Sequence, residues 1–177
     1  IEDLLNVNPA IGGGFPNVEF KITKSGKIEF LYYCAMRVDK NGIYKVQEMH
    51  DSVLPERIAA RVIDTGFFIG EQYAASGYRG YFDVDYVAAK NGEIYVTESN
   101  ARRTGGTHMY KAAVELIGKD FMTDSYTLSN NDYELPHGIK PSFEKVIEIL
   151  APVLFNNKTK EGVVLASSNL LKQSKFA

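Results

Sequence analysis

The sequence predicts an α+β fold: an antiparallel β-sheet with helices packed on it. Three observations carry that prediction. From Val18 to Met49, apolar and polar residues alternate in runs broken by Ser25-Gly26 and Asn41-Gly42, the pattern of a meander of half-buried strands. From Asp51 to Ala75, Ile58, Val62, Ile69 and Tyr73 recur at helical spacing, so one face of a long helix lies on the sheet. From Gly80 onward two further strand-like runs flank Asn91-Gly92, a strong two-residue hairpin signal.

In order, residues 1–5 read as the end of a strand and Asn6 to Pro16 as a loop. Gly12-Gly13-Gly14 invites a phosphate-loop reading, because glycines let backbone amides approach an anion. No Lys-Ser/Thr follows and no helix opens there, so a flexible connection is expected. The long helix is marked at its start by Asp51, Ser52 and Pro55. Gly66 and Gly70, four apart, predict close approach to a neighbour. After the hairpin, Gly105-Gly106-Thr107 leads into a helix from His108 to Ile117, and a glycine pair opening a helix makes an anion-binding end. Residues 118–141 are polar and irregular. A helix from Ser142, with Phe143, Val146, Ile147 and Leu150 on its apolar face, ends at Pro152, and Gly162 to Ala166 reads as a buried-type strand. Two regions are expected, 1–120 and a C-terminal extension, 121–177. Strand-like ends at both termini read as a fragment of a longer protein.

Composition narrows the function. Apolar residues make up 45% of the 177, enough for a core, and the net charge is −2. That balance carries no clustered basic footprint for nucleic acid. No apolar run is long enough to span a membrane, and no signal peptide is visible. The one cysteine, Cys34, sits in an apolar strand-like run, as a buried thiol in a reducing compartment would, so a cytoplasmic protein is expected.

The chemistry concentrates in the hairpin. With Asn91-Gly92 as a type I′ turn, Lys90 faces Glu93, Asp85 faces Glu98 and Asp83 faces Asn100. All four of these polar groups beyond the turn then share one face. Like charges directly opposed at about 5 Å repel by on the order of 3 kcal/mol at an effective dielectric near 20. Phe82, Val84, Tyr86, Ile94 and Val96 imply a largely buried sheet that screens the pair poorly. A divalent cation between the carboxylates reverses the sign of that interaction, and hard oxygen ligands favour magnesium or manganese. A solvated acidic patch is the other reading of the same residues.

The run from Val84 to Arg102, an acid in a strand, a hairpin, then Glu-x-Asn-x-Arg, resembles the C-terminal half of an ATP-grasp domain, as in biotin carboxylase, D-alanine–D-alanine ligase and carbamoyl phosphate synthetase. The string ESNARRTGGTH is most similar to the peptide-ligase branch. The likeness runs from about residue 1 to 120. It implies the C-terminal lobe of the ATP-grasp fold, ATP and Mg2+ (or Mn2+) as cofactors, and an ATP-dependent ligase joining a small carboxylate to an amine through an acyl phosphate. Asp85, Glu98 and Asn100 would bind the metal and nucleotide, and Arg102 would stabilise the transferring phosphoryl group. Glu2 and Leu4 resemble the adenine-holding hinge. Arg103, Gly105, Gly106 and His108 are candidates for substrate contact. The lysines that hold phosphates in this family come from an N-terminal lobe that these residues do not include, so that lobe is an expected partner and the fragment alone is expected to be inactive. A homodimer is compatible with the resemblance. Position 85 carries Asp where many relatives have Glu. Two alternatives stay open, a bicarbonate-activating carboxylase of the same fold and a non-catalytic nucleotide- or metal-binding module.

Overall fold

The computed structural model describes residues 4–130 and 142–166. Strands β1 (Phe15–Ile22), β2 (Ile28–Val38) and β3 (Tyr44–Met49) lead to helix α1 (Glu56–Ala75). Strands β4 (Gly80–Ala88) and β5 (Ile94–Asn100) follow, then α2 (Gly105–Leu116), the short α3 (Phe121–Asp124), strand β6 (Thr127–Asn130) and α4 (Phe143–Leu150). The six strands form one sheet in the order β5-β4-β1-β2-β3-β6, and β1 pairs antiparallel with both β2 and β4. The α+β antiparallel class is as the sequence predicts. The chain divides into two compact units, Ile1–Ser129 and Asn130–Ala177.

The alternation in β1 sorts residues onto two faces. Val18, Phe20 and Ile22 meet Phe82, Val84 and Tyr86 of β4 on one face, under Ile58, Ala59 and Val62 of α1. Gly66 permits this contact, because a Cβ there would come within 2.1 Å of the Phe20 ring. On the other face Tyr32, Cys34 and Met49 pack against Met109 and Ala113 of α2 and Phe121 of α3. The polar residues Asn17 and Glu19 lie on that second face, opposite Cys34 and Tyr32.

Three hairpins share one loop design. Gly26, Gly42 and Gly92 donate to Thr23, Asp39 and Ala89 three residues back, and each loop closes with a second backbone bond to the residue after the glycine. All three glycines have positive φ while Asn91 does not, so the Asn91-Gly92 turn is a three-residue loop ending in a left-handed glycine, not the expected type I′ turn. Helix α1 starts at Glu56, after Pro55, five residues later than expected. Gly12–Gly14 is a 3-10 turn with two buried glycines, packed rather than flexible. Strand β6 and helix α3 lie in a stretch expected to be irregular; the hydrogen bond from Asp51 N to Met122 O ties it to the end of β3.

In the second unit Ser142 caps α4, accepting from Lys145 N at 3.3 Å. A 3-10 turn, Ala151–Val153, holds Pro152. The expected strand from Gly162 does not form among the described residues: Val163 makes an isolated bridge to Leu154, and Val163, Val164 and Leu165 are exposed. A short apolar run cannot become a strand without a partner edge. No described helix is long and apolar enough to cross a membrane.

Candidate functional site

The hairpin β4–β5 brings the expected pairs together by a different route. Near the loop the facing pairs are shifted one residue from the expected register, with Ala88 opposite Ile94 and Tyr86 opposite Val96. A bulge that takes up Thr97 then restores it, so that Asp85 faces Glu98 and Asp83 faces Asn100. Phe82, Val84, Tyr86 and Ile94 are buried as expected, but β5 is the sheet edge and Val96 is exposed. Asp83 is 5% exposed. Asp85 is half-buried and Glu98 is exposed.

Asp85 is held by amides. Asn17 Nδ2 donates to Asp85 Oδ1 at 2.7 Å and to Asp83 Oδ2 at 3.2 Å. Asn100 Nδ2 donates to Asp85 Oδ2 at 3.3 Å, and Asn100 N donates to Asp83 Oδ1 at 3.2 Å. The orientation of Asn17 is set from behind: Gln47 Nε2 donates to Cys34 Sγ at 2.9 Å, and that thiol donates to Asn17 Oδ1 at 3.6 Å. Burial and the neighbouring Asp83 carboxylate still push Asp85 up to about 6, against the opposing effect of the Asn17 amide. Asp83 is raised too, chiefly by burial. These donors do not neutralise the site, and excess negative charge is what a cation relieves.

Glu98 makes no hydrogen bond or ion pair among the described residues, so its oxygens are free to take a ligand. Arg102 Nη2 donates to Asn100 Oδ1 at 2.9 Å, and Nη1 donates to Arg103 O at 3.2 Å. It forms no ion pair with a described carboxylate. Asp85, Glu98, Asn100, Arg102, Gly105 and Gly106 therefore line one cleft of about 260 Å³. The two carboxylates on one strand pair are hard oxygen donors that suit a divalent cation, and the Asn100 amide oxygen, now turned to Arg102, would join them by a turn of its side chain. No group of three or more His, Cys, Asp or Glu side chains among the described residues is poised to hold a metal by itself. Asn100 and added ligands such as phosphate oxygens would have to complete the shell.

Other expected site residues fall elsewhere. Arg103 leaves the cleft and lies over the Tyr81 ring, 5.1 Å from its centroid. His108 is exposed on the first turn of α2. Leu4 is 96% exposed and does not line the cleft. Glu2 lies outside the described residues.

Sequence reasoning missed the residue that seats α2. Glu19 is fully buried and accepts from three hydroxyls: Tyr32 at 2.5 Å, Thr104 at 2.9 Å, and Thr107. Thr104 N donates to Thr107 Oγ1 at 2.9 Å, closing a reciprocal cap. This cap starts the helix at Gly105, three residues before His108. A Cβ at Gly106 would lie 2.1 Å from the Tyr32 hydroxyl, so only glycine lets the helix start settle there. The signals were present in the chain: a Thr-x-x-Thr spacing around the glycine pair, and an acid on the polar side of β1's alternation.

No family model matches the chain. A curated relative, the L-propargylglycine–L-glutamate ligase of Streptantibioticus cattleyicolor, is 29% identical over 93 residues, which is 46% of this chain and 19% of that enzyme. Among solved structures, the phosphoribosylaminoimidazole carboxylase ATPase subunit of Aquifex aeolicus superposes with a TM-score of 0.54 at 13% identity, over 85% of this chain and 45% of that one. The β,γ-ATP complex of biotin carboxylase from Campylobacter jejuni superposes with a TM-score of 0.53 at 14% identity, over 70% of this chain and 31% of that one. The chain has the fold of the C-terminal lobe of these ATP-grasp enzymes, and it spans less than half the length of each.

Proposed function

We propose that the chain is the metal- and phosphate-binding half of an ATP-dependent carboxylate–amine ligase of the peptide-ligase branch. The observation that carries this reading is the cleft itself: the Asp85 and Glu98 carboxylates face each other across one strand pair, beside Asn100 and an Arg102 guanidinium that forms no ion pair with a described carboxylate. Asp85, Glu98 and Asn100 would hold Mg2+, which when bound supplies charge neutralisation at the β- and γ-phosphates. In this reading a substrate carboxylate oxygen attacks the γ-phosphorus of ATP, ADP leaves, and an acyl phosphate forms. An amine nitrogen then attacks the acyl carbon, the C–O bond to phosphate breaks, and an amide and phosphate are released. Phosphoryl transfer is mostly positioning and charge stabilisation. Without metal, Asn100 orients Arg102 through the same amide oxygen that would ligate the cation, and Asn17 fixes the Asp85 carboxylate. The solvent-open Glu98 is the arm that moves onto the ligand. The ligase likeness in sequence and the string ESNARRTGGTH support the amide-forming branch.

The test uses the full-length protein that carries this chain, supplied with ATP, Mg2+ and a panel of amino acids, with hydroxylamine as the amine. Hydroxamate formation that depends on ATP and a particular carboxylate is the expected result. ATP turnover that depends on bicarbonate, with no hydroxamate, would place the protein with the carboxylases. Arg102→Lys should lower kcat far more than it raises KM for ATP, because a planar guanidinium spans two phosphoryl oxygens and an ammonium does not. An unchanged kcat would make Arg102 structural.

A further inference from the structure

Past the start of α2, on the same sheet face as Asp83 and Asp85, three cations gather round one aromatic ring. Lys21 Nζ of β1 lies 5.8 Å from the Tyr81 centroid, the Arg103 guanidinium carbon 5.1 Å and Lys111 Nζ of α2 5.4 Å. The register explains the meeting, since Lys21 faces Tyr81 directly across β1–β4. No two of the cations can be more than about 11 Å apart, close to the Debye length of about 10 Å at 0.1 M salt, so they repel. None forms an ion pair with a described carboxylate. Glu29, opposite Lys21 on the other side, is engaged by Lys27 at 3.5 Å. A tyrosine ring attracts a cation weakly at an exposed site and supplies no negative charge to three. The start of α2 is already capped by Thr104 and Thr107, whose hydroxyls donate to Glu19, so the positive charge of the cluster comes from the three side chains themselves. Together these make an electropositive cluster whose missing component is an anion.

We propose that Lys21, Arg103 and Lys111, gathered round Tyr81, form a carboxylate-binding site that holds a non-reacting carboxylate of an amino-acid or di-acid substrate. The site is coupled to the cleft through one bond: Arg103 O accepts from Arg102 Nη1. An anion that fixes the Arg103 side chain also fixes the carbonyl that steadies Arg102. The assignment to a substrate rests on the ligase reading; the anion site does not.

Isothermal titration of the full-length protein with glutarate, and separately with inorganic phosphate, tests it. Arg103→Gln and Lys111→Gln change exposed side chains and leave the core intact, and Lys21→Met is the third variant. Glutarate should bind wild type saturably, and each cation removed should weaken it about tenfold, the scale of one charge-assisted hydrogen bond. No saturable binding to wild type, or equal affinity in all four proteins, overturns the site. Phosphate binding more tightly than glutarate, with the same dependence on the three cations, overturns its assignment to a carboxylate. The hydroxamate assay on the same samples separates the two claims. Cation-dependent glutarate binding without any hydroxamate supports the anion site and overturns its use for a ligase substrate.

Discussion

Glu19 and Asp85 show how single carboxylates organise the site in opposite ways. Glu19 is satisfied, with three hydroxyl donors on two oxygens, and it joins β1, β2 and the start of α2. Glu19→Ala would strip the buried Tyr32 and Thr107 hydroxyls of their acceptor. It should cost about 3 kcal/mol or more in chemical denaturation, the range for unsatisfied buried polar groups. A loss under about 0.5 kcal/mol would mean that water replaces the carboxylate. Asp85 is the strained partner. Its folded pKa, about 6, lies above the usual carboxylate value of 3.8, so its ionised form destabilises the fold. That cost is absent below pH 4, grows between pH 4 and about 6, and is complete above it. Asp85→Asn removes the charge but turns one amide donor toward another. Without metal the variant should therefore gain only about 1 kcal/mol at pH 7.5, after discounting for solvent and one lost bond, and the gain should vanish by about pH 4. Thermal melts in chelator across that range check the sign. A variant less stable at every pH would show that Asn17 and Asn100 already satisfy the carboxylate fully.

At the scale of elements, the hairpin explains which parts of the site were legible in the sequence. Asn91-Gly92 identified a hairpin correctly, but a left-handed glycine serves a three-residue loop as well as a type I′ turn, and composition does not separate them. The resulting one-residue shift is offset by the bulge at Thr97, so the Asp85–Glu98 pair was placed correctly although the turn beside it was not. Glu19 stayed hidden because its three partners come from 13 to 88 residues away in sequence, and no local pattern reports such distances. The helix α1 was legible down to its glycines. Gly66 faces Phe20 and Gly70 faces Phe82, as the four-residue spacing implies for a closely packed helix. Gly66→Ala places a methyl inside the Phe20 ring position and should cost about 2–4 kcal/mol, more than the usual overpacking penalty because Phe20 is itself locked by Phe82 and Phe67. Denaturant melts should show a lower midpoint for the variant. A stabilised protein, the ordinary result of Gly→Ala in a helix, would mean that α1 stands further from the sheet.

For the whole molecule, the cleft is one-sided. Every lining residue comes from one face of the sheet or from the segment that leads from β5 into α2, and the chain covers less than half of each matched enzyme. An electrostatic cradle for a nucleoside triphosphate needs cations facing the proposed metal ligands, and Arg102 is the one cation lining this cleft among the described residues. The chain by itself should therefore release no phosphate from ATP above background with any amine added; amine-dependent release would show that one lobe suffices. Within the full-length protein, the Asp85, Glu98 and Asn100 oxygens are proposed to hold a divalent cation with its nucleotide. Glu98 is the residue to change, because it is exposed and has no partner among the described residues whose loss could disturb the fold. Water-proton relaxation of Mn2+–ATP should be titrated against wild type and Glu98→Gln. Wild type should bind the complex and the variant should bind it at least about tenfold more weakly, the loss of one charged ligand to the metal. Equal binding by the two proteins would contradict the account and leave the acidic hairpin as a solvated patch.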